Sequence, residues 1–127
     1  LENEWTGRCL RPLNASQSIG ATVDMASCSN TGSRRWHAFT RSGMDGHVLV
    51  NQLSKLCLER ASTGNGLVQM PCTGADAQRF HFDAGSGSYE RIRLDDTQQC
   101  LRDYNGRAIL SSSCSNTPTR RWFRRDL

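Results

Sequence analysis

Six cysteines alternate between two phrases, and each phrase is written three times. One phrase places an aromatic residue eight positions after a cysteine: "CSNTGSRRW" from Cys28, "CTGADAQRF" from Cys72 and "CSNTPTRRW" from Cys114. These cysteines stand 44 and 42 residues apart. The other phrase is Cys-Leu: "CLRP" at Cys9, "CLER" at Cys57 and "CLRD" at Cys100, spaced by 48 and 43 residues. A fixed period of this size means an internal repeat, in which no unit buries a core alone and neighbours complete one another. The units are read as approximately 5–46, 47–92 and 93–127, forming one domain over residues 1–127.

Each unit reads as four short strands. In the second they are "LCLER", "GLVQM", "QRFHF" and "RIRLDD", separated by the turn signals "TGNG" and "AGSGS". No segment sustains helical periodicity. Three units give about twelve strands, and closing them on one another removes most exposed edges. The expected fold is therefore all-β, a β-trefoil with pseudo-threefold symmetry. Trp36, Phe80 and Trp122 are the expected equivalent anchors of a shared core, since aromatics bury large apolar areas. Leu10, Leu58 and Leu101 form a second expected layer, and Val23, Leu67 and Ile109 a third.

The three Cys-Leu starts and three cysteine-to-aromatic phrases resemble the ricin B-type β-trefoil lectins over nearly the whole chain. Repeats of that family carry a Gln-x-Trp signature. Here it reads Gln78-Arg79-Phe80 in the second unit and has drifted to Arg34-Arg35-Trp36 and Arg120-Arg121-Trp122 in the others. Six cysteines allow about fifteen pairings. Repeat symmetry favours Cys9–Cys28, Cys57–Cys72 and Cys100–Cys114, and the resemblance supports the same pairing. Such bridges contribute about 3 kcal/mol each in the chain-entropy model. They imply an oxidising compartment and a secreted, extracellular protein.

The resemblance also implies where a sugar binds. A family pocket needs an Asp two residues after the first cysteine, an aromatic just before the second, and an Asn just before the signature. The Asp positions hold Arg11, Glu59 and Arg102, of which only Glu59 keeps a carboxylate. Asp103 follows Arg102 and replaces it if the register slips. The aromatic positions hold Ala26, Met70 and Ser112, and the Asn positions Ser33, Ala77 and Thr119. No unit keeps the family's full constellation.

Two expectations follow. Sugar binding has moved to the third unit, where Asp103, Tyr104 and Asn105 place a carboxylate, a ring and an amide in one loop, with Glu59 and Gln78 of the second unit as the other candidates. The plainer reading of that loop is a turn in which Asn105-Gly106 supplies positive φ. Alternatively the trefoil has lost sugar binding and serves protein interaction or toxin assembly, because fold alone does not fix function.

Net charge is +4, and of the sixteen basic residues only Lys55 is lysine. The arginine bias reflects either genome composition or a surface that grips anions bidentately. Arg34 and Arg120 are expected to donate to nearby carbonyls in place of the signature Gln. Arg35 and Arg121 are the anion-binding candidates, with Arg79 at the equivalent site and Arg124 and Arg125 extending the patch. Acidic or sulfated glycans suit it; nucleic acid would suit it too, but interleaved aromatics are few and no nucleic-acid motif appears, so it is not the expected partner.

No catalytic constellation appears. His-Glu-x-x-His, Gly-x-Ser-x-Gly and the phosphate-loop motif are missing from the sequence. His37 and His81 follow anchor aromatics and are expected to point away from the core, and adjacent Asp95 and Asp96 face opposite sides of a strand. Asn14-Ala15-Ser16 fits the N-glycosylation acceptor, which matters only in a eukaryotic secretory setting. "LENEWTGRC" lacks the pattern of a signal peptide, so the chain reads as a mature or trimmed domain. The expectation is a non-catalytic carbohydrate-binding module without cofactor or metal, whose partners are glycans and another domain or subunit of a larger secreted protein.

Overall fold

The computed structural model describes residues 1–29 and 31–124. Twelve strands run in three sets of four. The first set is β1 (Glu2–Asn3), β2 (Arg8–Pro12), β3 (Thr22–Ser27) and β4 (Trp36–Phe39). The second is β5 (Val48–Asn51), β6 (Cys57–Arg60), β7 (Leu67–Met70) and β8 (Phe80–Ser86). The third is β9 (Tyr89–Leu94), β10 (Cys100–Tyr104), β11 (Arg107–Ser111) and β12 (Trp122–Phe123). A single 3-10 turn precedes each anchor aromatic: Gly32–Arg34, Asp76–Gln78 and Pro118–Arg120.

The middle strands of each set form a hairpin, β2 with β3, β6 with β7 and β10 with β11. The outer strands join neighbouring sets: β4 pairs β5, β8 pairs β9, and β12 pairs both β9 and β1. The fold is the all-β trefoil with pseudo-threefold symmetry that the repeat predicts. The disulfides are Cys9–Cys28, Cys57–Cys72 and Cys100–Cys114, one per repeat, with Cα separations of 5.0, 5.1 and 5.2 Å.

The core holds Trp36, Phe80 and Trp122 at equivalent positions, layered with Leu10, Leu58 and Leu101. Each tryptophan donates its indole N–H to the carbonyl of the Cys-Leu leucine: Trp36 to Leu10 at 3.1 Å and Trp122 to Leu101 at 3.0 Å. Phe80 fills the same slot without a donor.

The third layer differs from expectation at one residue. Val23 and Leu67 are buried, but Ile109 is only half-buried and Ala108 takes its place. The register explains it. Val23 lies opposite Pro12, Leu67 opposite Arg60 and Ala108 opposite Asp103, each three residues past a first cysteine. A one-residue miscount along a strand moves a side chain to the other face.

Two buried amides fix the turns that open the first two units. Asn3 donates to the Thr119 carbonyl and accepts from the N–H groups of Trp5 and Thr6. Asn51 donates to the Ser33 carbonyl and accepts from Leu53 and Ser54. Leu94 stands at the third equivalent position. Residues two before each first cysteine adopt positive φ: Gly7 at 66°, Lys55 at 63° and Gln98 at 61°. The start of every Cys-Leu strand is thus aimed the same way.

Candidate functional site

The three hairpins present equivalent outer faces, and their side chains differ. In β6–β7 Glu59 lies opposite Val68, and its carboxylate accepts the Gln78 amide at 2.7 Å. Gln78 is fully buried, and its amide is saturated. It donates also to the Pro71 carbonyl and accepts from the N–H groups of Thr73 and Gly74. The structure thus brings Glu59 and Gln78 together, with Glu59 half-exposed and Gln78 holding the loop behind the second cysteine.

In the third unit alternation along β10 and β11 separates the predicted trio. Leu101, Asp103, Ala108 and Leu110 face inward and are buried, while Arg102, Tyr104, Arg107 and Ile109 share the outer face. Asp103 is 2% exposed. One of its oxygens accepts the Thr6 hydroxyl and the other the Gly106 N–H. Its carboxylate ties this loop to the first unit's opening turn. Asn105 and Gly106, at φ 51° and 83°, form the two-residue left-handed turn expected of Asn-Gly. A Cβ at position 106 would also run into the Arg8 guanidinium. The Tyr104 ring stands 48% exposed at this tip, with the Arg102 guanidinium 4.9 Å from its centroid. Phe82, by contrast, is half-buried between the edge of His47 and the Arg124 guanidinium, 4.3 Å from its centroid.

The arginines at and around the signature positions serve as braces and ion-pair partners. Arg120 donates its Nε–H to the Ser113 carbonyl at 2.8 Å. That bond is equivalent to Gln78 donating to Pro71, so arginine reproduces the signature glutamine's structural bond. Arg34 and Arg120 both reach a hydroxyl three residues upstream, on Thr31 and Thr117, at 2.8 Å. Arg121 is ion-paired with Glu4 and donates to the Asn116 carbonyl, as Arg79 pairs with Asp76 and Asp95 and donates to Gly74. Arg35 is half-buried at the matching position, where its carbonyl accepts the Gln52 N–H. Arg124 pairs with Glu90, and Arg125 lies outside the described residues.

His37 and His81 occupy equivalent half-buried positions, bonded to Gln52 at 3.1 Å and Asp95 at 2.8 Å. The hydrogen bond to His81 first, and then that to Arg79, lower the Asp95 pKa. Asp45, His81 and Asp95 bring ligand atoms within 4.8 Å of one another. Both Asp95 oxygens are already committed, one to His81 and one to Arg79. Within the protein these contacts make the cluster a hydrogen-bonded ion-pair network. Asn14 is exposed in a left-handed turn at φ 55°.

The ricin-type β-trefoil lectin domain matches residues 1–122. The chain belongs to that family. The drifted signature therefore sits in an intact family scaffold. No curated protein sequence matches the chain. Among solved structures, the designed threefold-symmetric protein ThreeFoil superposes with a TM-score of 0.89 at 21% identity, over 99% of this chain and 96% of that one. An exo-β-1,3-galactanase from Clostridium thermocellum superposes at 0.83 with 19% identity, over 96% of this chain but 28% of that longer one. SeviL, in a structure bound to the asialo-GM1 saccharide, superposes at 0.75 with 10% identity, over 96% and 90%. At such identities these likenesses establish the trefoil and leave the ligand to the residues. Among the described residues no helix is long and apolar enough to cross a membrane.

Proposed function

We propose that this lectin domain is a non-catalytic carbohydrate-binding module of a larger secreted protein, and that it binds sugar on the outer face of the β10–β11 hairpin. The observation that carries the reading is Tyr104, a ring held in the open on a two-residue turn whose backbone is pinned from beneath by Asp103. A flat ring suits the C–H face of a sugar, and the neighbouring Asn105 amide suits a hydroxyl. Asp103 then acts as scaffold, since its oxygens are spent within the protein. Glu59 is the second candidate, limited by a hydrogen bond to Gln78 that a sugar hydroxyl must share. Family membership supports glycan binding, and the galactanase supports a trefoil carried within a longer enzyme chain. The bridges of all six cysteines support secretion. An excess of positive charge supports a preference for acidic or sulfated glycans. A glycan array, followed by titration of Tyr104→Ala against its best ligand, tests the site: loss of binding with an unchanged melting temperature supports it, and unchanged binding rejects it.

Trp5 favours a second reading. It is 71% exposed in the turn after β1, and aromatic residues are enriched at protein interfaces. An interface to another domain or subunit would cover it. The array is again the discriminator: a chain that binds no glycan but retains a partner through Trp5 is an interaction trefoil.

A further inference from the structure

We propose that Arg102 and Arg120 form an anion clamp for the carboxylate or sulfate of an acidic sugar whose ring rests on Tyr104. The inference rests on the carbohydrate-binding reading above and names the class of ligand for that site.

The second unit supplies the internal comparison. Glu59 lies two residues after its first cysteine, and Gln78 two residues before its anchor aromatic. These side chains meet, at 2.7 Å, and satisfy one another. Symmetry puts Arg102 and Arg120 at the same two positions of the third unit. There two arginines stand where a carboxylate and an amide meet in the second unit. Two like charges in one place repel, and an anion between them turns repulsion into two charge-assisted contacts. Arg120 feels this field: burial first, and then the charge of Arg102, lower its pKa.

Among the described residues no carboxylate supplies the missing anion. Among the described residues neither arginine has an ion pair, whereas Arg60, Arg79, Arg93, Arg121 and Arg124 each have one. Arg120 spends donors on Ser113, Thr117 and Ser111, all neutral acceptors. The Arg102 side chain makes no hydrogen bond among the described residues, and its Nε is a buried donor without an acceptor. The nearest carboxylate in sequence, Asp103, points to the opposite face.

The first unit carries the same inversion, Arg11 with Arg34, but its hairpin differs at the cross-strand position. Arg11 lies opposite Asp24, whereas Arg102 lies opposite the apolar Ile109. Among the described residues, only the third unit has a ring stacked against one of its two arginines. Arg102 and Tyr104 lie two residues apart on one face and already stack. A sugar on Tyr104 therefore places a substituent within reach of the guanidinium edge.

The test is isothermal titration of the oxidised chain at fixed ionic strength with galactose, galactose 6-sulfate and galacturonic acid, and with the three corresponding glucose forms. We expect at least one acidic form to bind about tenfold tighter than its neutral parent, the scale of one charge-assisted hydrogen bond. Which acid gains identifies a sulfate or a carboxylate ligand. Arg102→Gln, which removes no hydrogen bond within the described protein, should abolish the preference. Arg121→Gln, whose charge Glu4 already neutralises, should leave it. Acidic and neutral forms binding equally, or a preference that survives Arg102→Gln, overturns the clamp; if Tyr104→Ala then still removes binding, the carbohydrate reading stands without it. Binding of none of the six sugars at millimolar concentration overturns both.

Discussion

Trp122 donates its indole N–H to the main-chain oxygen of Leu101 at 3.0 Å, and Trp36 does the same to Leu10. The bond locks the last strand of a unit onto its Cys-Leu strand, so the repeated aromatic serves both packing and register. Trp122 is fully buried. Replacing it with Ala should cost roughly 3–5 kcal/mol, the usual range for a large buried aromatic. Trp122→Phe, which copies Phe80, should cost less, about 1–2 kcal/mol, through the lost bond and a small void. Urea denaturation reads both, and a loss below about 1 kcal/mol for the alanine variant would reject the core assignment.

Asn51 is a buried hub on which three main-chain groups depend, the Ser33 carbonyl and the N–H groups of Leu53 and Ser54. Its truncation to Ala should cost about 2–4 kcal/mol, because groups that stay buried lose their partners. Leu94 stands at the same position of the third unit, so Asn there is no general demand of the fold. Leu94→Asn should not stabilise the chain. Equilibrium denaturation of the two variants separates a local polar hub from a repeat-wide rule.

The period, the anchors and the disulfide pairing were legible because each is written three times, and agreement among copies suppresses accident. What occurs once was not legible. Ile109 and Ala108 differ by one place along a strand, and sequence spacing carries an error of that size. Asp103 looked like a ligand because carboxylate, ring and amide are neighbours in sequence. Strand alternation then sent the carboxylate inward, a consequence available from periodicity once Leu101 is fixed as core. The Glu4–Arg121 pair joins the two ends of the chain, and no local pattern announces it. Arg102 with Arg120 lay in plain view at the family's acid and glutamine positions. What relates them is the Glu59–Gln78 bond, which shows that side chains at these two positions meet in the second unit.

Acid should weaken this fold through two carboxylates held below their ordinary pKa of 3.8. Asp95 is lowered by His81 and Arg79, and Asp83 by Arg93. A depressed folded-state pKa means the unfolded chain takes up the proton first. The stabilisation is therefore complete above about pH 4 and is lost as pH falls further, through the folded-state values. Melting temperature followed from pH 6 to pH 2 should fall below about pH 4, and the fall should be shallower in Asp95→Asn and Asp83→Asn. An equally steep fall in both variants would place the acid sensitivity elsewhere.

Glu59 and Tyr104 should separate stability from binding. Glu59 accepts the amide of a fully buried Gln78, so Glu59→Ala strands a donor inside the protein. The expected cost is about 1–3 kcal/mol, the penalty of an unsatisfied buried group. Glycan affinity should stay unchanged, because the third unit's hairpin does not touch that bond. Tyr104→Ala should do the reverse. Its ring is exposed and its removal costs little in stability, while sugar affinity falls below detection. Glu59→Gln tightens the comparison, since a neutral amide still accepts from Gln78 and should restore most of the stability. Urea denaturation and titration against one array-selected glycan, run on all three variants, give the answer. If Glu59→Ala abolished binding at unchanged stability and Tyr104→Ala did not, the second unit would be the site, and the Glu59–Gln78 bond would be one that the sugar replaces.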